Sequence, residues 1–192
     1  MANTAEKYGL RPVRKVDGSP FINAQNRYRI AANYGTPIYQ GDLVKPVTGG
    51  GIQRAVANTS DLVVGVFNGV FYTDPTTQKP TWKNYYPGTV NASDIVATII
   101  DDPDVVYSID SDGAFAVADI FKNFAITTAT GNTLSGISEV QLDFSVSGLT
   151  TSGTVLQAID VSQDAQNSTA GSVNVDVLVR INNHFYAQGL GI

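Results

Sequence analysis

The sequence predicts an all-β protein: a small antiparallel β-barrel or sandwich with an extended N-terminal arm and little helix. Three observations lead there. The 192 residues include 18 glycines and 8 prolines, which recur every few positions and interrupt any helical run. Between them lie short runs of β-branched and aromatic residues bounded by turn residues, which is the signature of strands. Residues 1–30 lack such a run before Arg27-Tyr28-Arg29-Ile30, and Pro12 and Pro20 prevent a continuous helix there.

The elements follow in chain order. Residues 1–30 read as an extended basic arm, turning at Asp17-Gly18-Ser19, that packs on something other than its own core. Residues 31–192 read as the β-rich domain. Pro37 to Val47 gives two short strands around Gly41-Asp42, and Thr48-Gly49-Gly50-Gly51 is a turn. Ile52 to Val56 alternates between two faces, as a half-buried strand does. Leu62 to Phe67 is a continuous apolar run and predicts a core strand. Asn68-Gly69 then leads into Val70-Phe71-Tyr72. That dipeptide is a hairpin signal, but Gly65 and Gly69 equally fit bulges in one long, bent strand. Asp74 to Gly88 reads as a polar and aromatic loop with Pro75, Pro80 and Pro87; it holds the only tryptophan, Trp82, with Tyr85 and Tyr86.

Ser93 to Ile100 is a further strand, broken by Asp101-Asp102-Pro103-Asp104 and resumed over Val105 to Ile109. Asp110-Ser111-Asp112-Gly113 turns the chain. Ala114 to Phe124 is the best helical candidate, with Val117, Ile120 and Phe121 near helical spacing. Glu139 to Val146, Thr154 to Val161 and Ser172 to Ile181 are strand-like, and polar loops occupy 127–136 and 162–171.

Composition narrows the function classes. There is no cysteine, which excludes disulfides, thiolate metal sites and cysteine catalysis. His184 is the only histidine, so no mechanism needing two histidines from one chain applies, and no His-rich zinc site. No apolar run is long enough to cross a membrane as a helix, and the polar stretch Met1 to Leu10 lacks the core of a secretory leader. Charged residues make up 15%, against about 25% in ordinary soluble domains. An uncharged polar surface suits an assembly whose neighbours cover much of it.

The charge is also uneven. Residues 1–54 carry eight basic side chains (Lys7, Arg11, Arg14, Lys15, Arg27, Arg29, Lys45 and Arg54) against three acids (Glu6, Asp17 and Asp42). The rest is strongly acidic, and the whole chain has a formal charge of -5. An acidic body repels nucleic acid. The basic arm suits an acidic partner surface, for which Lys7, Arg11, Arg14, Lys15, Arg27 and Arg29 are the candidate contacts. Trp82, Tyr85 and Tyr86 are the candidate aromatic anchors, since aromatics on a polar loop often anchor interfaces.

Catalytic and metal-binding patterns are weak. Asp101, Asp102 and Asp104 form the densest carboxylate group, and Asp110-x-Asp112-Gly113 resembles the start of a calcium loop without the residues that complete it. Three readings fit them: turn-forming aspartates that hydrogen-bond their own backbone, an acidic contact patch, or a cation site. Gly-x-Ser-x-Gly is absent, Gly49-Gly50-Gly51 lacks the following Lys-Ser/Thr of a phosphate loop, and His184 reads as a packing or strand-edge residue. The expectation is a protein that is not an enzyme and needs no cofactor or metal.

An ordered set of short motifs carries a resemblance. It comprises Tyr8-Gly9-Leu10-Arg11-Pro12-Val13, Gly18-Ser19-Pro20, Gly41-Asp42-Leu43-Val44, Gly65-Val66-Phe67-Asn68-Gly69, Tyr86-Pro87-Gly88, Asp101-Asp102-Pro103-Asp104-Val105, Asp112-Gly113-Ala114, Val179-Arg180-Ile181-Asn182 and His184. Together they resemble the decoration, or cement, proteins of tailed bacteriophages. That resemblance implies a β-rich homotrimer made in the host cytoplasm and bound to the outer surface of an icosahedral capsid, where it bridges neighbouring major capsid proteins. It implies no catalytic residue, and the acidic body and the lack of a long apolar run lead to the expectation of no direct nucleic-acid contact and no membrane contact. The alternative is a carbohydrate-binding β-module of a phage fibre or surface structure, using Trp82, Tyr85 and Tyr86.

Overall fold

A computed structural model describes residues 3–56, 61–145, 154–163 and 166–188. Met1 and Ala2 of the expected arm, Val146 at the end of one expected strand, positions 164–165 of the 162–171 loop and the stretch 189–192 lie outside the described residues. The strands are β1 (Arg11–Lys15), β2 (Asn26–Arg29), β3 (Leu43–Val47), β4 (Gly51–Arg54), β5 (Gly65–Thr73), β6 (Pro80–Lys83), β7 (Val96–Ile100), β8 (Val105–Asp110), β9 (Asn123–Ile126), β10 (Gly131–Asn132), β11 (Ile137–Ser138), β12 (Leu142–Asp143), β13 (Leu156–Val161) and β14 (Asp176–Ile181). One helical turn, α1 (Phe185–Gln188), follows.

The all-β expectation holds. One sheet runs β1-β8-β14-β13-β9-β12, and a second runs β3-β4-β2-β7-β5-β6 with β3 also pairing β5. That last pairing closes β3, β4, β2, β7 and β5 into a five-stranded barrel, and β6 hangs outside the ring on β5. Among the named strand pairs only β2–β4 is parallel, meeting at Arg29 and Gly51. A small hairpin, β10–β11, stands apart from both sheets.

Strand β5 decides how the barrel closes. It pairs β7 along one side from Val66 to Phe71. On its other side it pairs β3 at Gly65 and Val66, then β6 from Val70 to Thr73. The change of partner falls at the register shift between Phe67 and Gly69, so Asn68-Gly69 is a bulge in one bent strand rather than a hairpin. Closure also demands glycine at 65, where a Cβ would stand 2.1 Å from the Ile100 carbonyl oxygen.

Two apolar cores result. Ile38, Val44, Ile52, Phe67, Val70, Tyr86 and Ile99 fill the barrel interior. Leu10, Leu43, Val66, Tyr107, Phe115, Phe124, Leu156 and Val177 belong to the core under the first sheet, which the barrel wall helps to close.

Three expectations need correction. The N-terminal segment is extended, but it is woven into its own body. Strand β1 pairs β8 and β2 pairs β7, so the segment contributes to both sheets. Tyr8 and Leu10 are buried, the Leu10 amide donates to the Gly41 carbonyl at 3.0 Å, and the Tyr8 and Ser108 hydroxyls are 2.8 Å apart. The apolar anchors are single residues spaced among polar ones, and β8 would otherwise present an open edge. Pro12 is tolerated because β1 is itself an edge strand with a register shift between Pro12 and Arg14. The expected helix over 114–124 is only a 3-10 turn at Val117–Asp119, where the Asp119 carboxylate accepts the Ala116 N–H at 2.9 Å. Phe121 then takes φ 70°, and the chain enters β9. Finally, the loop over 74–88 contains β6, whose Trp82 lies opposite Phe71.

Candidate functional site

The outer wall of the barrel carries a continuous row across four strands. In register, Arg29 of β2 lies beside Val96 of β7, Val96 beside Phe71 of β5, and Phe71 beside Trp82 of β6. Arg27 begins a parallel row through Thr98 to Gly69. Side chains two apart on a strand share a face, so these residues form one surface while their neighbours Val70, Ala97 and Ile99 point into the barrel core. Gly69 lets the Trp82 ring lie close over the bulge, since a Cβ there would come within 2.7 Å of Trp82 Cζ2.

The surface is a groove of about 680 Å³ with small residues, Val96 and Thr98, on its floor. Trp82 is 60% exposed and Phe71 45%. Arg27 and Arg29 are exposed, and neither guanidinium has a hydrogen-bond or ion-pair partner among the described residues. Asp94 lines one end, but its carboxylate accepts the Thr73 hydroxyl at 2.7 Å and the Thr73 N–H. Those bonds hold it below the usual carboxylate range. The groove thus combines two uncommitted cations, two exposed aromatic rings and one acid that is already engaged.

The sequence candidates therefore divide. Arg27, Arg29 and Trp82 come together, joined by Phe71, which the sequence reading missed. The signal for Phe71 lay in the alternation of β5 beyond Gly69, where it faces away from Val70 and Tyr72. The other candidates lie elsewhere. Lys15 pairs with Asp102 at 2.6 Å, Arg11 stands 4.4 Å over the Tyr8 ring, Arg14 donates to the Lys15 carbonyl at 3.1 Å, and Lys7 is exposed near the first sheet. Tyr85 is half-buried and stacks on Tyr39 with ring centroids 5.6 Å apart. Tyr86 is fully buried, stacked on Tyr34, and donates to the Tyr34 carbonyl at 2.9 Å. It is a barrel-core residue, so Trp82, Tyr85 and Tyr86 do not form one aromatic surface.

Several carboxylates of the acidic clusters hold neighbouring groups. Asp102 accepts the Asp104 N–H at 2.9 Å, while Asp101 accepts from Asn26 and from the Tyr28 hydroxyl. No group of three or more potential metal-ligating side chains occurs among the described residues. His184 is fully buried, its Nδ1 accepts the Tyr186 N–H, and burial pushes its pKa down.

A second feature is buried under the N-terminal segment. Asp110 and Asp176 are directly paired residues of β8 and β14, and both are buried. Gln141 donates to Asp110 at 2.8 Å. Burial, opposed by the Gln141 bond and aided by the Asp176 charge, raises the Asp110 pKa to about 6. A raised folded-state pKa favours the protonated form. Its contribution to stability is complete below the unfolded value near 3.8 and is lost as pH rises through about 6. Asp110→Asn keeps an acceptor for Gln141 without the buried charge. It is expected to raise stability at pH 7 by about 1–2 kcal/mol and to flatten the loss between pH 4 and about 6, as urea titrations across that range would show.

No protein-family model matches the chain, and no curated protein or solved structure matches it. The geometry therefore stands alone: an all-β fold that presents an arginine–aromatic groove on a barrel wall.

Proposed function

We propose that this protein is a structural virion component that binds the outside of an icosahedral phage capsid and stabilises it by bridging major capsid subunits, as a homotrimer. The observation that carries the reading is the groove of Arg27, Arg29, Phe71 and Trp82. Exposed aromatic and arginine side chains clustered at one patch are the composition of protein-interface hot spots. The ordered motifs that resemble decoration proteins supply the kind of partner. An acidic body suits an outer surface, away from packaged DNA, because like charges disfavour approach to phosphate.

The role is mechanical rather than chemical. Leu43, Val66 and Ile100 of the barrel wall pack into the core under the first sheet, so a load applied at the groove passes into that sheet through them. The carbohydrate-binding alternative loses its proposed platform, because Tyr86 is internal and Tyr85 packs on Tyr39.

Co-sedimentation with particles stripped of the protein tests the reading. Trp82→Ala should weaken attachment by about 2 kcal/mol, roughly thirtyfold. Arg27→Ala with Arg29→Ala should weaken it less at high salt than at low salt, because the lost contacts are ionic. Unchanged attachment of both variants would remove the groove from the interface.

A further inference from the structure

We infer that the groove takes an extended segment of a partner protein in which acidic and apolar residues alternate. The inference deepens the docking role proposed above and rests on it. It follows from the layout of the four strands. Arg27 and Arg29 stand two residues apart on one face of β2, hence about 6.6 Å apart along the strand. On the other side of β7 stand Phe71 and Trp82. Strand β7 contributes only Val96 and Thr98 to this face, so it forms a low floor between a cationic wall and an aromatic wall. The walls are two strand spacings apart at β2 and β5, about 10 Å.

A peptide in the β conformation laid on its edge along that floor sends alternate side chains to opposite sides. Its same-side residues repeat at the spacing of the two arginines. One side would offer carboxylates to Arg27 and Arg29, and the other would place apolar side chains against Phe71 and Trp82. Arginine suits this role because its planar fork pairs bidentately with carboxylates. Charge complementarity favours an acidic protein segment over a polyanion: the chain carries a net charge of -5, which opposes a continuous run of phosphates. A nucleic acid or an acidic glycan also lacks the alternation of anionic and apolar groups that the two walls demand.

Trp82 is the only tryptophan, so its emission reports occupancy of the groove. The probe is a short end-blocked peptide alternating glutamate with valine and phenylalanine, titrated into the full chain. The expected result is a saturable shift in Trp82 emission. Binding should weaken roughly tenfold with Arg27→Ala and Arg29→Ala together, and by a similar factor for a peptide of the same composition with its glutamates in one block. Unchanged melting temperatures would show that the exposed substitutions leave the fold intact. Equal binding of the blocked-order peptide, or an equal shift caused by oligothymidylate or oligogalacturonate, would overturn the inference. Co-sedimentation with stripped particles, run in parallel, separates the two readings. Attachment to particles without any response to the alternating peptide overturns the acidic-strand occupant and leaves docking standing. A peptide response without attachment supports the occupant and overturns the capsid role.

Discussion

A chain that begins at residue 27 is expected not to fold to a cooperative structure. The truncation removes β1 and so opens the edge of β8, breaking a pairing that runs from Arg11–Ser108 to Lys15–Val105. It removes Leu10 from the core under the first sheet and Tyr8 from its contact with Ser108. Burying a large apolar side chain is worth about 1.5–3 kcal/mol, so Leu10 and Tyr8 alone account for about 3–6 kcal/mol before the lost β1–β8 pairing is counted, a large share of the whole stability of a domain. Urea unfolding followed by far-UV and near-UV circular dichroism is the check. A truncated chain that unfolds cooperatively at the full-length midpoint would show that the segment is a dispensable tail.

Arg54→Ala is expected to cost about 3–5 kcal/mol, the range for leaving a buried charge without its partner. Asp42 is fully buried at the entrance to β3. Its carboxylate accepts Arg54 Nε at 2.9 Å and Arg54 Nη2 at 3.2 Å, the Ser138 hydroxyl at 2.6 Å and the Tyr39 N–H at 2.8 Å. Arg54 also donates to the Ala129 carbonyl. One ion pair thereby ties β3, β4, β11 and the 127–130 loop together. Burial already pushes the Asp42 pKa up, with the Arg54 charge opposing it. Without Arg54, burial acts less opposed, so the carboxyl keeps its proton to higher pH. The folded-state pKa is raised, so the deficit of the variant should shrink as pH falls toward 4. Adding Asp42→Asn should recover part of the loss at neutral pH. Equal unfolding midpoints for Arg54→Ala and the parent at pH 7 would contradict the account.

The sequence carried the fold class well because strands and turns leave local marks. The apolar run at Leu62–Phe67, the aspartate break at 101–104 and the run at 105–109 lie in or beside β5, between β7 and β8, and in β8. Closure of the barrel was not legible, because it depends on β3 meeting β5 across some twenty residues of intervening chain. The N-terminal segment misled for a related reason. Tyr8 and Leu10 are single apolar residues in polar surroundings, and only contacts with distant parts of the chain, Gly41 and Ser108 among them, bury them. The helix expected at 114–124 failed because its apolar residues do not share a face: Phe115 and Phe124 are buried, whereas Val117 and Phe121 are 66% and 75% exposed.

The candidate site shows the same division. Residue type alone marked Arg27, Arg29 and Trp82. Their meeting needed β6 to fold back on β5 and β2 to pair β7, and neither contact leaves a sequence motif. Tyr86 shows the converse. An aromatic in a proline-rich, polar stretch reads as exposed, yet its ring completes the barrel core while its hydroxyl satisfies a loop carbonyl.

A cryo-EM map of the native virion tests the central claim most directly. The proposed function predicts density for this fold outside the icosahedral shell, in trimers, with the β2-β7-β5-β6 wall turned toward a major capsid subunit and Trp82 inside the contact. A shell without this density, or density in which that wall faces solvent while another surface holds the capsid, would contradict it.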